Sequence, residues 1–187
     1  MYLILDTETN SYHPGQIAQL SYILVDENWQ FQQSQNFFFR VDAMDPYAQS
    51  IHWFSQELLE QLSEGKTFAD QYDHISSLLD NYTLVAHNAW FDKKFIQYEY
   101  ERLGLVYEPE TFCTMQHFTP ICKIPHHHNG GYKRPKLSEL LSFYNISEDQ
   151  VQSCSQELFA MGNITAHDAR YDTTALYLVM QKYKQYS

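Results

Sequence analysis

Three short acidic segments carry residue types and spacings that could do chemistry. In the first, Asp6-Thr7-Glu8, two carboxylates stand at i and i+2, positions that share one face of an extended strand. Like charges held together without a partner are costly; a divalent cation removes the repulsion, and oxygen ligands suit magnesium or manganese. The ordinary reading of such a pair is a strand end entering a solvated turn. The second segment, His87-Asn88-Ala89-Trp90-Phe91-Asp92, follows the apolar stretch 83–86 and leads into a helical pattern, with Asp92 in the first turn. A carboxylate there can simply be a favourable anion at a helix N-terminus, yet a strand-to-helix crossing is also where α/β proteins place ligand groups. In the third, His167-Asp168-Ala169-Arg170-Tyr171-Asp172, Asp172 falls on one stripe with Leu176, Val179 and Tyr183. A carboxylate on a buried face needs a partner. With Asp168 as N-cap, His167 and Asp172 take the two positions that meet across a helix start; the alternative for His167 is a surface residue beside the cap.

The elements that must position these groups follow from periodicity and turn residues. Apolar runs at 2–6 and 17–25, separated by the turn-rich segment 10–15 containing His13-Pro14-Gly15, read as strands, and a third run at 37–41 follows the polar stretch 30–36. Short connections favour an antiparallel meander. Asp45-Pro46 breaks the pattern. From Thr67, apolar residues recur every three or four positions through Tyr82, as in an amphipathic helix. A short strand at 83–86, a helix from about 91 to 103 ending before Gly104, and a strand near 112–115 come next. Residues 120–136, with three prolines, paired glycines and His126-His127-His128, read as a loop. A short helix over Leu137, Leu140, Leu141 and Tyr144 and a last helix from Asp168 complete the order. Strands first and then alternation of helix and strand predicts an α/β domain with a mixed sheet covered by helices.

Composition bounds the remaining possibilities. One domain over residues 1–187, with 44% apolar and 16% aromatic residues, has ample material for a core and excludes a disordered chain. No basic leader opens the chain and no long apolar run interrupts it, so a soluble cytoplasmic protein is expected, without a membrane partner. Cys113, Cys122 and Cys154 form neither a disulfide framework nor a zinc site. The formal charge of −11 opposes binding to nucleic acid, where neutralisation of phosphates by Lys and Arg supplies most of the non-specific affinity. Such a ligand would have to be held locally, by metal ions and a small basic patch.

In order and together, the motifs Leu5-Asp6-Thr7-Glu8-Thr9, Val85-Ala86-His87-Asn88-Ala89-Trp90-Phe91-Asp92 and His167-Asp168-Ala169-Arg170-Tyr171-Asp172 resemble the DnaQ-like, or DEDDh, 3′→5′ exonucleases. The HxAxxD spacing of the third separates this branch from relatives with a catalytic tyrosine. Ser50-Ile51-His52 followed by Ser55-Gln56-Glu57, and Phe112-Cys113-Thr114-Met115, are minor matches, and the Cys-Thr-Met form is most similar to the exodeoxyribonuclease X branch. Three features depart from the family pattern: Trp90 is bulky for its place, Asn10-Ser11 replaces a glycine, and Cys113 stands where relatives often have Asp.

The resemblance implies a ribonuclease H-like fold: a mixed five-stranded sheet, its first three strands antiparallel, flanked by helices. It implies two divalent cations, Mg²⁺ or Mn²⁺, with Asp6, Glu8 and Asp172 on one, Asp6 bridging to the second and Asp92 supporting that site through water. Phosphodiester hydrolysis by two such ions needs a base, the role implied for His167. Thr7 and Thr9 are expected to receive the terminal nucleotide, with His52, Asn88 and Phe91 contacting its sugar or base. Lys133, Arg134 and Lys136, with Tyr132, form either a phosphate-contacting loop or a plain solvated one; zinc-like ligation by three consecutive histidines is disfavoured because they cannot converge on one ion. The expected activity is release of nucleoside monophosphates from single-stranded or duplex DNA 3′ ends by a free-standing repair-type nuclease, since the chain ends at Ser187 without a polymerase-binding extension. The competing readings are a 3′→5′ exoribonuclease and a non-catalytic nucleic-acid-binding adaptor.

Overall fold

The computed structural model describes residues 1–12, 15–126, 130–160 and 165–185. Its centre is a five-stranded sheet in the order β3-β2-β1-β4-β5. Strands β1 (Tyr2–Thr9), β2 (Ile17–Val25) and β3 (Phe31–Phe38) pair antiparallel, while β4 (Thr83–Ala86) and β5 (Thr111–Cys113) add parallel to β1 and to each other. This is the expected mixed sheet. Between β3 and β4 lie α1 (Pro46–His52), α2 (Gln56–Leu62) and α3 (Phe68–Asn81); α4 (Ala89–Arg102) crosses from β4 to β5. Beyond β5 come α5 (Thr114–Cys122), α6 (Leu137–Phe143), α7 (Glu148–Phe159) and α8 (Ala169–Gln185).

The alternation along β1 decides which groups reach which side. Leu3 and Leu5 join Leu20, Leu24, Leu79, Phe95 and Ile96 in the core on one face. Ile4 joins Ile23, Val25, Val85 and Leu176 of α8 on the other. Asp6 and Glu8 continue the Ile4 face, opposite Ser21 and Gln19, so the carboxylates emerge just where the apolar pairing stops. All nine residues of β2 are buried, as a strand covered on both faces must be.

Several boundaries differ from the sequence expectation for identifiable reasons. The third strand is Phe31–Phe38 rather than 37–41, because the polar run is itself the edge strand and most of its side chains face solvent. Asp45-Pro46 starts a helix rather than merely breaking a strand: Asp45 Oδ1 accepts from the Tyr47 and Ala48 amides, and Pro46 takes the first turn. Ser55 caps α2 and Ser147 caps α7, two further unexpected helices. The strand expected at 112–115 gives way to α5 at Thr114, and α5 carries Pro120 inside it. Among the described residues between α5 and α6, Pro125 is bridged to Tyr132 and the His126 amide donates to the Gly131 carbonyl. The turn residues His13 and Pro14, the loop histidines His127 and His128, and the terminal Ser187 lie outside the described residues. Among the described residues no helix is long and apolar enough to cross a membrane.

Candidate active site

The carboxylate edge of β1 meets the starts of α4 and α8. Asp92, in the first turn of α4, is 2% exposed, and its Oδ1 accepts from both the Thr7 amide (3.1 Å) and the Thr7 hydroxyl (2.9 Å). Those bonds pin the second acidic segment to the first. The third arrives through α8, whose apolar stripe packs on the same face as Ile4. Asp168 behaves as the N-cap: its Oδ1 accepts from the Arg170 amide at 3.0 Å. His167 sits at φ 66°, a left-handed conformation few non-glycine residues adopt, and this turn brings its amide 3.0 Å from Asp172 Oδ2. The expected meeting of the two residues therefore runs through the His167 backbone.

The side chains also converge. Ligand-capable atoms of Glu8, His167 and Asp172 lie within 4.8 Å of one another. Asp6 is held in the same field: burial raises its pKa well above the usual carboxylate range, and the charges of Asp172, Asp92, Glu8 and Asp168 raise it further. Glu8 is raised by burial and then by Asp172, Asp168 and Asp92. Burial lifts Asp92 to about 7 against the opposing bonds from Thr7, and lifts Asp172 to about 6 against the His167 amide and the nearby imidazole. Among the described residues no Lys or Arg forms an ion pair with any of the four. The neighbouring cation, Arg170, is engaged by Asp168 through two bonds, at 2.8 and 2.6 Å. Buried and half-buried carboxylates left with mutual repulsion and, among the described residues, no Lys or Arg partner fit hard divalent ions of the magnesium or manganese type.

Thr7, Glu8, Thr9, His52, Phe91 and His167 line one open pocket of about 260 Å³ beside the acids. His52 is buried and its ring nitrogens are occupied: Nδ1 accepts from the Phe54 amide, which leaves Nε2 to donate to the Thr9 carbonyl at 3.1 Å. Its polar atoms brace Thr9, and burial lowers its pKa, keeping it neutral. Asn88 lies elsewhere, in a neighbouring cavity that it shares with Arg134. Lys133 is engaged by both carboxylate oxygens of Glu139, and Lys136 begins α6 as its N-cap residue. Arg134 lines a cavity next to α4, while Lys133 and Lys136 lie at the start of α6.

Some positioning residues had no sequence signature. Tyr12 and Tyr47, on loop and helix, wall the pocket with largely exposed rings. Gln19, fully buried in β2, donates to Asp168 and Asn36 and accepts from the Ala169 amide. A polar residue in a largely apolar strand was the clue. Gln19→Leu is expected to strand these partners at about 1–3 kcal/mol, lowering the Tm by roughly 2–4 °C per kcal/mol and displacing the third segment. Thermal melts and turnover of the same preparation check it; a native Tm with native turnover would remove Gln19 from this role. His87 similarly ties the end of β4 to α5 and the loop, through Thr114 at 3.1 Å and the Pro135 carbonyl at 3.0 Å.

The profile of the RNase T exonuclease family matches residues 3–180. The chain belongs to this exonuclease family. No curated protein sequence matches it. Among solved structures, this exonuclease-family chain superposes on exonuclease X in complex with 5′-overhanging duplex DNA with a TM-score of 0.70 and 20% identity, covering 100% of this chain and 93% of that one. Escherichia coli (E. coli) exonuclease I in complex with a dT13 oligonucleotide gives 0.71 and 17% over 96% of this chain, which spans 40% of that protein. A 3′-exonuclease recognising a histone mRNA stem-loop gives 0.72 and 13%, over 100% and 82% of the two chains. At these identities the likeness is one of fold: the ribonuclease H-like exonuclease fold expected from the motifs.

Proposed function

We propose that this chain is a divalent-metal-dependent 3′→5′ exonuclease that releases nucleoside monophosphates from DNA ends, working as a repair-type nuclease. The observation that carries the reading is the convergence of Glu8, His167 and Asp172 within 4.8 Å, in a carboxylate cluster with Asp6 and Asp92 that has no cationic partner among the described residues. Asp6, Glu8, Asp92 and Asp172 are the residues that would hold the divalent ions. Two such cations, when bound, supply charge neutralisation at the phosphate, an acidified water and a hold on the departing 3′ oxygen.

The protein's own groups do the rest. The His167 ring, exposed at the rim, takes the proton of the attacking water. The backbone of Thr7 to Thr9, braced by Asp92 and His52, fixes the terminal nucleotide, and Phe91 and Tyr47 offer ring faces to its base. Stacking accepts any base, so little sequence preference is expected. Asp92, bonded to Thr7, couples the geometry of the nucleotide pocket to that of the acids.

Solved proteins of this fold include complexes with both DNA and RNA, so the test carries both. The protein is incubated with 5′-labelled single-stranded DNA, duplex DNA and RNA, with magnesium or with chelator. The expected result is a ladder shortened from the 3′ end and mononucleotide release in magnesium, none in chelator, and slower shortening of RNA. Faster shortening of RNA than of DNA would make it an exoribonuclease. Strand binding without shortening of any substrate would leave the adaptor reading.

A further inference from the structure

The second acidic segment differs from its family pattern at Trp90, a bulky residue, and its surroundings give that difference a use. Trp90 is 66% exposed on the first turn of α4. Adjacent helical residues project about 100° apart, and the consequence here is a division of labour. Phe91 lines the pocket that holds Glu8 and His167, while Trp90 walls two outer cavities. One, of about 450 Å³, is lined by Asn88, Gln116 and Arg134 among others; the other, of about 430 Å³, is lined by Lys93, Lys94 and Tyr98, with Glu101 and Glu108 at its wall. The Lys94 ammonium lies 4.9 Å from the Trp90 ring centre and 5.7 Å from that of Tyr98. Lys93 pairs with exposed Glu108 at 2.8 Å, a surface contact that a phosphate could displace at little cost.

Positive charge and an exposed indole thus gather beside the site of an acidic chain. An aromatic face interleaved with Lys and Arg is the chemistry that holds a single nucleic-acid strand: bases stack on the ring while cations take the phosphates. Trp90 lies two residues before Asp92 on the same helix turn, so one strand can stack its last base at Phe91 and an earlier one at Trp90. We propose that Trp90, flanked by Lys94 and Arg134, is a second station for the substrate strand, holding nucleotides on the 5′ side of the terminal dinucleotide. This deepens the exonuclease reading and rests on it for the identity of the strand.

The test separates the two. Binding of a labelled single-stranded oligonucleotide of about 12 nucleotides, within the footprint of single-strand binders, is followed by fluorescence anisotropy at low salt in chelator, where hydrolysis plays no part. Trp90→Ala is expected to weaken binding about 5- to 150-fold, the range for removing one stacking aromatic; Trp90→Phe should restore most of it, and Lys94→Glu should weaken it with a shallower salt dependence. In magnesium, Trp90→Ala should raise KM for the long strand with kcat retained, and leave a dinucleotide substrate unaffected. Equal losses on long strand and dinucleotide, or native affinity in Trp90→Ala, would overturn the station. A protein that binds the strand through Trp90 yet hydrolyses nothing would keep the station and reject the nuclease.

Discussion

His167→Ala is expected to keep the fold and divalent-cation binding while lowering turnover by about 10²–10⁴-fold, the usual contribution of a positioned general base. The side chain is exposed, so its removal leaves no cavity. The bond that organises the third segment comes from the His167 amide to Asp172, and alanine retains that amide. The imidazole alone is lost. Circular dichroism, cation titration and steady-state rates measured on one preparation separate the outcomes. Because a ring nitrogen lies within 4.8 Å of Glu8 and Asp172 oxygens, a large fall in cation affinity would instead make His167 a ligand. Unchanged turnover would end its part in the chemistry.

Asp172→Asn is expected to do two opposite things: abolish metal-dependent turnover and stabilise the metal-free protein. Asparagine is isosteric and its oxygen can still accept from the His167 amide, but it removes one charge from a repulsive cluster. Asp172 and Asp92 sit near 6 and 7 in the folded chain, above the ordinary carboxylate value near 4 of an unfolded one. Between those values the folded state binds more protons than the unfolded state, so stability falls as pH rises. The contribution is complete below about pH 4 and gone above about 7. Each group accounts for a few kcal/mol at most, on the order of 10 °C in Tm for a chain of this length. Thermal melts in chelator from pH 5 to 8 should therefore decline for the native protein and decline less for Asp172→Asn. Manganese or magnesium should reverse the decline, by about 2.7 kcal/mol at a hundredfold excess over Kd, and most strongly at high pH, where the acids are ionised. A melting temperature in chelator that does not depend on pH, or a less stable Asp172→Asn, would contradict this.

The two results bear on one property. The acid cluster is a cost to the empty fold, and the surrounding structure must hold it in place. Gln19, Thr7 and Arg170 do so through hydrogen bonds to Ala169, Asp92 and Asp168. Substitutions at these supports should act on stability and activity together. Substitution of Asp172 should separate them.

What the sequence by itself determined was whatever depends on local spacing. Asp6 and Glu8 share a face because a strand has a two-residue repeat, and Asp172 joins Leu176 and Val179 because a helix has a 3.6-residue one; both were legible in the chain. So were α3 and α4, whose apolar positions recur at helical spacing. The helix starts at Asp45-Pro46 and Ser147 were also written locally, as capping residues, but short amphipathic runs behind them were too weak to recognise alone. Tertiary structure decided the rest, because it depends on partners distant in sequence. Gln32 to Asn36 form a strand since an edge position tolerates polar side chains, which only the sheet order reveals. His52 became a brace for Thr9, Lys133 an ion-pair partner of Glu139, and Asn88 a wall of the Trp90 cavity through neighbours set by the packing of helices on the sheet. Local periodicity decides which way a side chain points along its own element. What it then meets depends on how the elements pack, and hydrogen bonds and charges act only over the few ångströms that packing sets.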